Sequence, residues 1–472
     1  MCLKSWKEAT IWEILLLTRL QEDSQTMTNI QTIDPAAVLQ AAFPRRLIES
    51  FAHESGFVQR HREFNPVTFF WALMTCILSH SCTGIASVWR EYERLSQTVI
   101  DRSSFYKHFS DEGAEFLRLL VNHACETVFP QKAVAAYLRD FTQVLLQDST
   151  VLKLRKVLAE RWPGAGLAAA AKLNIILCAN GGSASKIQIA KGTKNETKFT
   201  TINAGIEGSL LIFDMGYQSL KNFARIEHRG GYFLTRLKES FHPTIAQSNV
   251  VCRGNAIELV GQKVWDVVTS LKRAVLDVTI EVVVTRKGQP GPIPLDGHRP
   301  ELHEWRVVGL RNDETGEYHL YLTNIPVEWL TAEQIGLAYS FRWEVERLFA
   351  EFKGPYDLGS WAVEKEASML CHVYGVLVAW AASRRLRSEV IGLALETPLL
   401  DEHLAAPFGR WARALQTHIR DVSRSVVLKR RAAPHIAPLL RTAARDPNRG
   451  RVPLVARTNR IPRNARVTPH SS

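Results

Sequence analysis

The sequence predicts a mixed α/β protein, with a helical N-terminal region ahead of a sheet-built core. Three observations predict it. Residues 34 to about 130 carry apolar residues at helical spacing behind cap-plus-proline pairs. From about residue 139 the pattern changes to short apolar runs closed by polar or glycine-rich turns. Near residue 331 a long amphipathic helix begins, opened by Thr331 with Gln334 three residues on and stopped by Gly354-Pro355.

Taken in order, residues 1–33 read as disordered or as an upstream extension, the latter for residues 1–26 because Met27 opens a more ordinary start. The run IWEILLL is short and carries Glu13, so no signal peptide is expected. Residues 34–135 read as a helical, DNA-binding domain. Asp34-Pro35 and Asn65-Pro66 open helices, and Phe69, Phe70, Leu73, Met74 and Ile77 give the second an apolar face. A short helix near 103–109, with Arg102, Lys107 and His108, precedes one over 111–128. That pair fits a helix-turn-helix, and equally a plain bundle with surface cations.

Residues 136–395 form the expected core. TQVLLQDSTVLKL, AAAKLNIILCANGG, SKIQIAKG, SLLIFDMGY and GYFLTRLK read as five strands, with a helix over 217–229. The continuous run SLLIF is typical of a strand buried on both faces. Alternating segments at about 241–325 read as a β-rich insertion with a Gly/Pro-rich link at 288–294. An apolar helix over 368–386 would cover the sheet. Residues 396–472 read as a C-terminal helical segment and a basic flexible tail. From Arg424 onward there are twelve Lys/Arg and a single acid, Asp446, so nearly all of the net charge of +12 sits there. Such a tail suits phosphate neutralisation, or simple solubilisation.

At 472 residues, two or three domains are expected, and 46% hydrophobic content is that of a globular chain. Seven scattered cysteines show no C-x-x-C and no zinc spacing. Their odd number favours reduced thiols and a cytoplasmic setting. No stretch approaches the ~20 apolar residues of a membrane span.

The candidate site starts from the run YSFRWEVERLFAEFKG. Tyr339, Arg342, Glu346 and Lys353 fall within an arc of roughly 60° on one helix. Ala338, Phe341, Val345, Leu348 and Phe352 make an adjacent buried stripe. On its own the polar stripe also fits a solvated face with an i,i+4 Arg–Glu pair. Asp148 and Asp214 each end an apolar strand, where open α/β sheets place ligands. Either alone also fits an Asx turn. Together with Glu346 they supply three carboxylates from separate elements, a donor set that suits a hard divalent cation.

The spacing Tyr339-x-x-Arg342-x-x-x-Glu346-x-x-x-x-x-x-Lys353 resembles the Y-R-E-K signature of a group of bacterial insertion-sequence transposases. These are DDE enzymes with a ribonuclease H-like core. LLQDSTVLKL and LIFDMGYQSL resemble the family's blocks around its two aspartates, and the likeness covers roughly residues 140–390. The resemblance implies a ribonuclease H-like mixed sheet with a β-rich insertion. It implies that Asp148, Asp214 and Glu346 bind two Mg2+ ions, with Mn2+ able to substitute, and that Tyr339, Arg342 and Lys353 contact phosphates. It also implies double-stranded DNA as partner, a homodimer in the synaptic complex, and cut-and-paste transposition through terminal inverted repeats. In some relatives an aromatic of the insertion traps a flipped base. Trp305 is the candidate here, with Trp265 competing and a buried structural role open to both. The alternatives are a ribonuclease H-like nuclease without strand transfer and an inactive DNA-binding relic.

Overall fold

The computed structural model describes residues 33–444 apart from 60–63, 82, 128–135, 180–182, 200–201, 203, 253–254, 257–258, 285–300, 313–314, 360–362 and 393–407. The expected upstream extension, the Gly/Pro-rich link and the end of the basic tail lie outside the described residues.

The N-terminal part is helical as expected: α1 (Pro35–Ala42), α2 (Arg45–Glu54), α3 (Pro66–Leu78), α4 (Ile85–Ser96), α5 (Arg102–Tyr106) and α6 (Asp111–Thr127). Asp34 and Asn65 cap α1 and α3 through their side chains, with proline at the first turn. Arg102 and Lys107 are exposed. His108 instead stacks on Phe64 with ring centroids 3.5 Å apart, and burial lowers its pKa to about 4.

Five core strands follow: β1 (Val144–Lys153), β2 (Ala170–Cys178), β3 (Ser183–Lys191), β4 (Leu210–Phe213) and β5 (Tyr232–Arg236), with α7 (Leu220–His228) between the last two. β6 (Ile245–Ser248), the small β7 (Val251–Cys252) and β8 (Asn255–Ala256) hairpin, α8 (Val264–Ser270), β9 (Val275–Val284), β10 (Glu301–Arg311) and β11 (Tyr318–Thr323) come next. Nine strands form one sheet in the order β3-β2-β1-β4-β5-β11-β10-β9-β6. β1, β2 and β3 pair antiparallel, while β4 and β5 run parallel to β1 and to each other. This is the mixed ribonuclease H-like sheet the sequence predicts. The β-rich insertion is not set apart from it, because β11 pairs directly with β5 and lengthens the same sheet.

Strand alternation sorts side chains to two cores. Val144, Leu146, Leu210 and Ile212 face one, and Leu145, Leu211, Phe213 and Phe233 face the other. α7 and α8 cover the second face. The first is covered by α9 (Ala332–Ser340), α10 (Trp343–Lys353) and α11 (Glu366–Gly392). α12 (Phe408–Val427) packs back against α1 and α3, and α13 (Ile436–Ala444) packs on α12 and α11. Gly375 lets α11 approach α3 closely, since a Cβ there would sit 3.0 Å from Leu73. α3, apolar on every side, is buried along nearly its whole length between these neighbours.

The basic segment from Arg424 differs from its expected flexible character as far as residue 444. Val426, Ile436 and Leu440 are buried, and the Ala432 N–H donates to the Asp34 side chain at 3.1 Å. Its apolar residues recur at helical spacing among the arginines, and that spacing gives them a core to join. Among the described residues no helix is long and apolar enough to cross a membrane.

Candidate active site

β1 and β4 run side by side with Gln147 opposite Phe213. The next residue on each strand is an acid, so Asp148 and Asp214 are neighbours where β4 stops. Asp214 follows the last residue of its strand, as expected. Asp148 does not end β1; the strand continues to Lys153, paired only with β2.

The helix expected over 331–353 is two helices. The capping box at Thr331 and Gln334 forms in full, and the last helical residue is Lys353. Between α9 and α10, Phe341 and Arg342 make a tight turn. Glu344 and Val345 donate to carbonyls three residues back, at 2.9 and 3.1 Å, and the Glu346 N–H reaches Arg342 at a long 3.5 Å. The buried stripe holds across the break: Ala338, Phe341, Val345, Leu348 and Phe352 are all buried.

Arg342, at the break, projects into the acids. Its guanidinium lies 2.6 Å from Glu346 Oε1, 3.5 Å from Asp148 Oδ2 and 3.9 Å from Asp214 Oδ1. One planar cation therefore contacts all three carboxylates. Among the described residues the three acids do not form a group with ligand atoms within 4.8 Å of one another; each instead meets the guanidinium. Tyr339 flanks it, with the guanidinium carbon 5.7 Å from the ring centroid. The Tyr339 hydroxyl is buried without a hydrogen-bond partner. Lys353 is exposed at the far end of α10.

Residues 139–381 match the family model described as the transposase DDE domain, a span that contains all of these residues. The chain belongs to the DDE transposase family. It is 23% identical over 367 residues to the transposase for insertion sequence element IS231E of Bacillus thuringiensis subsp. finitimus, across 70% of this chain and 75% of that protein. It is 25% identical over 367 residues to the IS231C transposase of Bacillus thuringiensis subsp. berliner, across 71% and 75%. Among solved structures, it is similar to a piggyBac transposase synaptic complex with hairpin DNA at 10% identity and a TM-score of 0.42, covering 86% of this chain and 84% of that one. As a DDE transposase the protein is an enzyme that cleaves and transfers DNA.

The acid cluster has an electrostatic consequence of its own. Burial raises the Asp148 pKa to about 6; the Ser149 N–H and Arg342 oppose the rise, while Asp214 and Glu196 add to it. A raised carboxyl pKa means stability present below the unfolded value near 4 and lost as pH climbs through about 6. The loss is on the order of 2–3 kcal/mol. Asp148→Asn is therefore expected to make the metal-free protein more stable at pH 8 and to flatten its melting temperature between pH 4 and 7. An unchanged pH profile would show that Asp148 is not the group being desolvated.

One sequence reading changes here. Trp305 is fully buried against Phe223 and Phe233, with its indole N–H donating to Glu227. It presents no face to DNA in this structure; the buried structural role holds. Trp265 is partly buried, and its indole N–H donates to the Phe241 carbonyl.

Sequence reasoning missed Glu196. Its Oε1 accepts from Ser149 Oγ at 3.0 Å and lies 3.5 Å from Lys172 Nζ. A Cβ on Gly216 would come 1.9 Å from Glu196 Oε2, so glycine at 216 is what lets this carboxylate close over the Asp214 turn. Behind it, Tyr217 and Gln147 both donate to the Asn174 side-chain oxygen, at 2.8 and 3.1 Å. The only sequence signal was the glycine in DMGY.

Proposed function

We propose that the protein is a cut-and-paste transposase that binds the terminal inverted repeats of its element and cleaves their ends. It then joins the freed 3′-hydroxyl to target DNA. The observation that carries this reading is the Arg342 guanidinium ringed by Asp148, Asp214 and Glu346. Acids from three elements that jointly hold one cation are also a donor set for hard divalent ions, and oxygen ligands fit Mg2+, with Mn2+ able to substitute. The three acids would hold two such ions, which when bound lower the pKa of the attacking hydroxyl and neutralise charge on the attacking and leaving oxygens.

The chain's own residues do the rest. Arg342 exchanges its carboxylate partners for a phosphate, which its planar fork binds bidentately. Tyr339 gives its unpartnered hydroxyl to a phosphate oxygen, and exposed Lys353 adds a point charge further along the backbone. In the first step water attacks phosphorus and the bond to the 3′-oxygen breaks, leaving a 3′-hydroxyl and a 5′-phosphate. In the second step that 3′-hydroxyl attacks a target phosphodiester and displaces a target 3′-oxygen, which takes up the proton. One phosphodiester is broken as one is made. Each chain carries one acid triad, so two ends need two copies, a homodimer on DNA. The N-terminal helices, with exposed Arg102 and Lys107, supply the end-recognition surface.

The test is joining of a pre-cut end, bearing the element's own repeat, to a plasmid target in Mg2+. Joined product is expected; hydrolysis without joining would replace this reading with a nuclease. A second expectation concerns the tail. Because residues up to Leu440 pack into the fold and their helix runs to Ala444, the informative deletion is 445–472, which removes seven arginines and one aspartate. The slope of log affinity against log salt should become shallower by about 0.9 for each phosphate that the tail neutralises. A slope identical to the full chain's would mean that the tail does not touch DNA.

A further inference from the structure

α7 ends at His228, and β10 begins at Glu301 with His303 two residues later on the same face. These side chains meet where β10, an internal strand of the sheet, begins. Following the strand register from Asp214 through β5 and β11 to β10, they lie about 20 Å from the acid triad. His303 is buried, with a side chain only 7% exposed. Its Nδ1 is 2.5 Å from Glu227 Oε2, the same carboxylate that accepts the Trp305 indole N–H at 3.2 Å. In the neutral imidazole that contact places the proton on Nδ1, where it is donated to the carboxylate, and leaves the lone pair on Nε2. Nε2 is buried without any hydrogen-bond partner. Glu301 Oε2 lies 3.6 Å from it, and the same oxygen is 2.8 Å from His228 Nε2. One ligand atom from each of the three residues falls within 4.8 Å of the others.

We propose that His228, Glu301 and His303 form a second metal site, built for a borderline divalent cation such as Zn2+. Three features carry it. Two imidazoles and a carboxylate are ligands for Zn2+ and its neighbours, not for Mg2+, which takes oxygen. The buried Nε2 has no other partner, and an unsatisfied buried acceptor is costly. Glu227 holds His303 from behind in the carboxylate–histidine arrangement that orients metal-ligating imidazoles and raises their basicity. With three protein ligands the fourth position is open to water. The exposed His228 and Glu301 face solvent on that side. The site ties the end of α7 to the start of β10, clamping the helix that follows Asp214 onto the sheet extension.

The test uses the full-length chain, stripped with a chelator and titrated with Zn2+ alone and with Co2+ as a spectroscopic reporter. His228 and Glu301 are half-exposed, so H228Q–E301Q is expected to fold. Wild type should take up a Zn2+ equivalent that this double variant binds at least 100-fold more weakly. D148N–D214N should keep it. Bound Co2+ should show visible ligand-field bands without thiolate charge-transfer absorption. The proposal is overturned if H228Q–E301Q binds Zn2+ as wild type does. It is overturned equally if binding disappears in D148N–D214N, or if the Co2+ spectrum reports cysteine ligation.

Discussion

Alanine at Asp148, Asp214 or Glu346 is expected to reduce cleavage by more than about 100-fold while leaving DNA affinity within a few-fold of wild type. Loss of a residue that only orients a metal ligand already costs 10–100-fold, so loss of a ligand itself should cost more. The affinity half of the prediction follows from charge. Each substitution removes a negative charge from a surface meant to face phosphates, so the electrostatic part of binding is held or strengthened. Folding should also survive. Burial already opposes ionised Asp148, and Asp214 and Glu346 have side chains more than a third exposed. Cleavage of a labelled element end and a gel-shift titration read the two halves separately. Equal loss of binding in all three variants would show that the acids build the DNA surface instead of the reaction centre.

How much of this was legible in the sequence depends on whether a feature is local. The five core strands were, because Leu145, Leu146, Leu210, Leu211 and Ile212 alternate or run together between turn residues. The start of α9 was legible because a capping box is written within four residues. The break at Phe341 and Arg342 was not: the run has no proline or glycine there, and the spacing of the buried stripe survives a tight turn almost unchanged. The extent of β1 beyond Asp148 depends on β2, whose partner residues lie further along the chain, from Asn174 back to Ala170. Glu196 was invisible for the same reason. It lies 47 residues from Ser149, in a lysine-rich stretch without periodicity, and only the fold brings the two together. Trp305 shows a different limit. Its place in strand β10 could be read, but which face of the strand it occupies depends on the burial of both faces of the sheet.

Arg342→Ala is expected to raise Mn2+ affinity in the DNA-free protein and to abolish the gain in Mn2+ affinity that DNA brings to wild type. The guanidinium lies within 4 Å of all three acids, so under the proposed function a metal ion would compete with Arg342 for the same oxygens. DNA shifts the competition, since a phosphate gives the arginine a better bidentate partner and frees the acids. DNA and metal are then linked through one side chain, with reciprocal effects on each other's affinity of about 5- to 150-fold. Without the arginine the acids are open from the start, and DNA has nothing left to release. The same substitution leaves three carboxylates without their counter-charge. The metal-free variant should lose about 1–3 kcal/mol of stability, less than a fully buried pair would cost because Asp214 and Glu346 are partly solvated. Mn2+ should restore that stability. Arg342→Lys should not recover the linkage, because an ammonium cannot span the acids as a planar fork does. Free Mn2+ counted by electron paramagnetic resonance, with and without the element's end, measures both affinities. Equal Mn2+ affinity in wild type and Arg342→Ala without DNA would show that the guanidinium yields the acids at no cost and that the two ligands are not coupled through it.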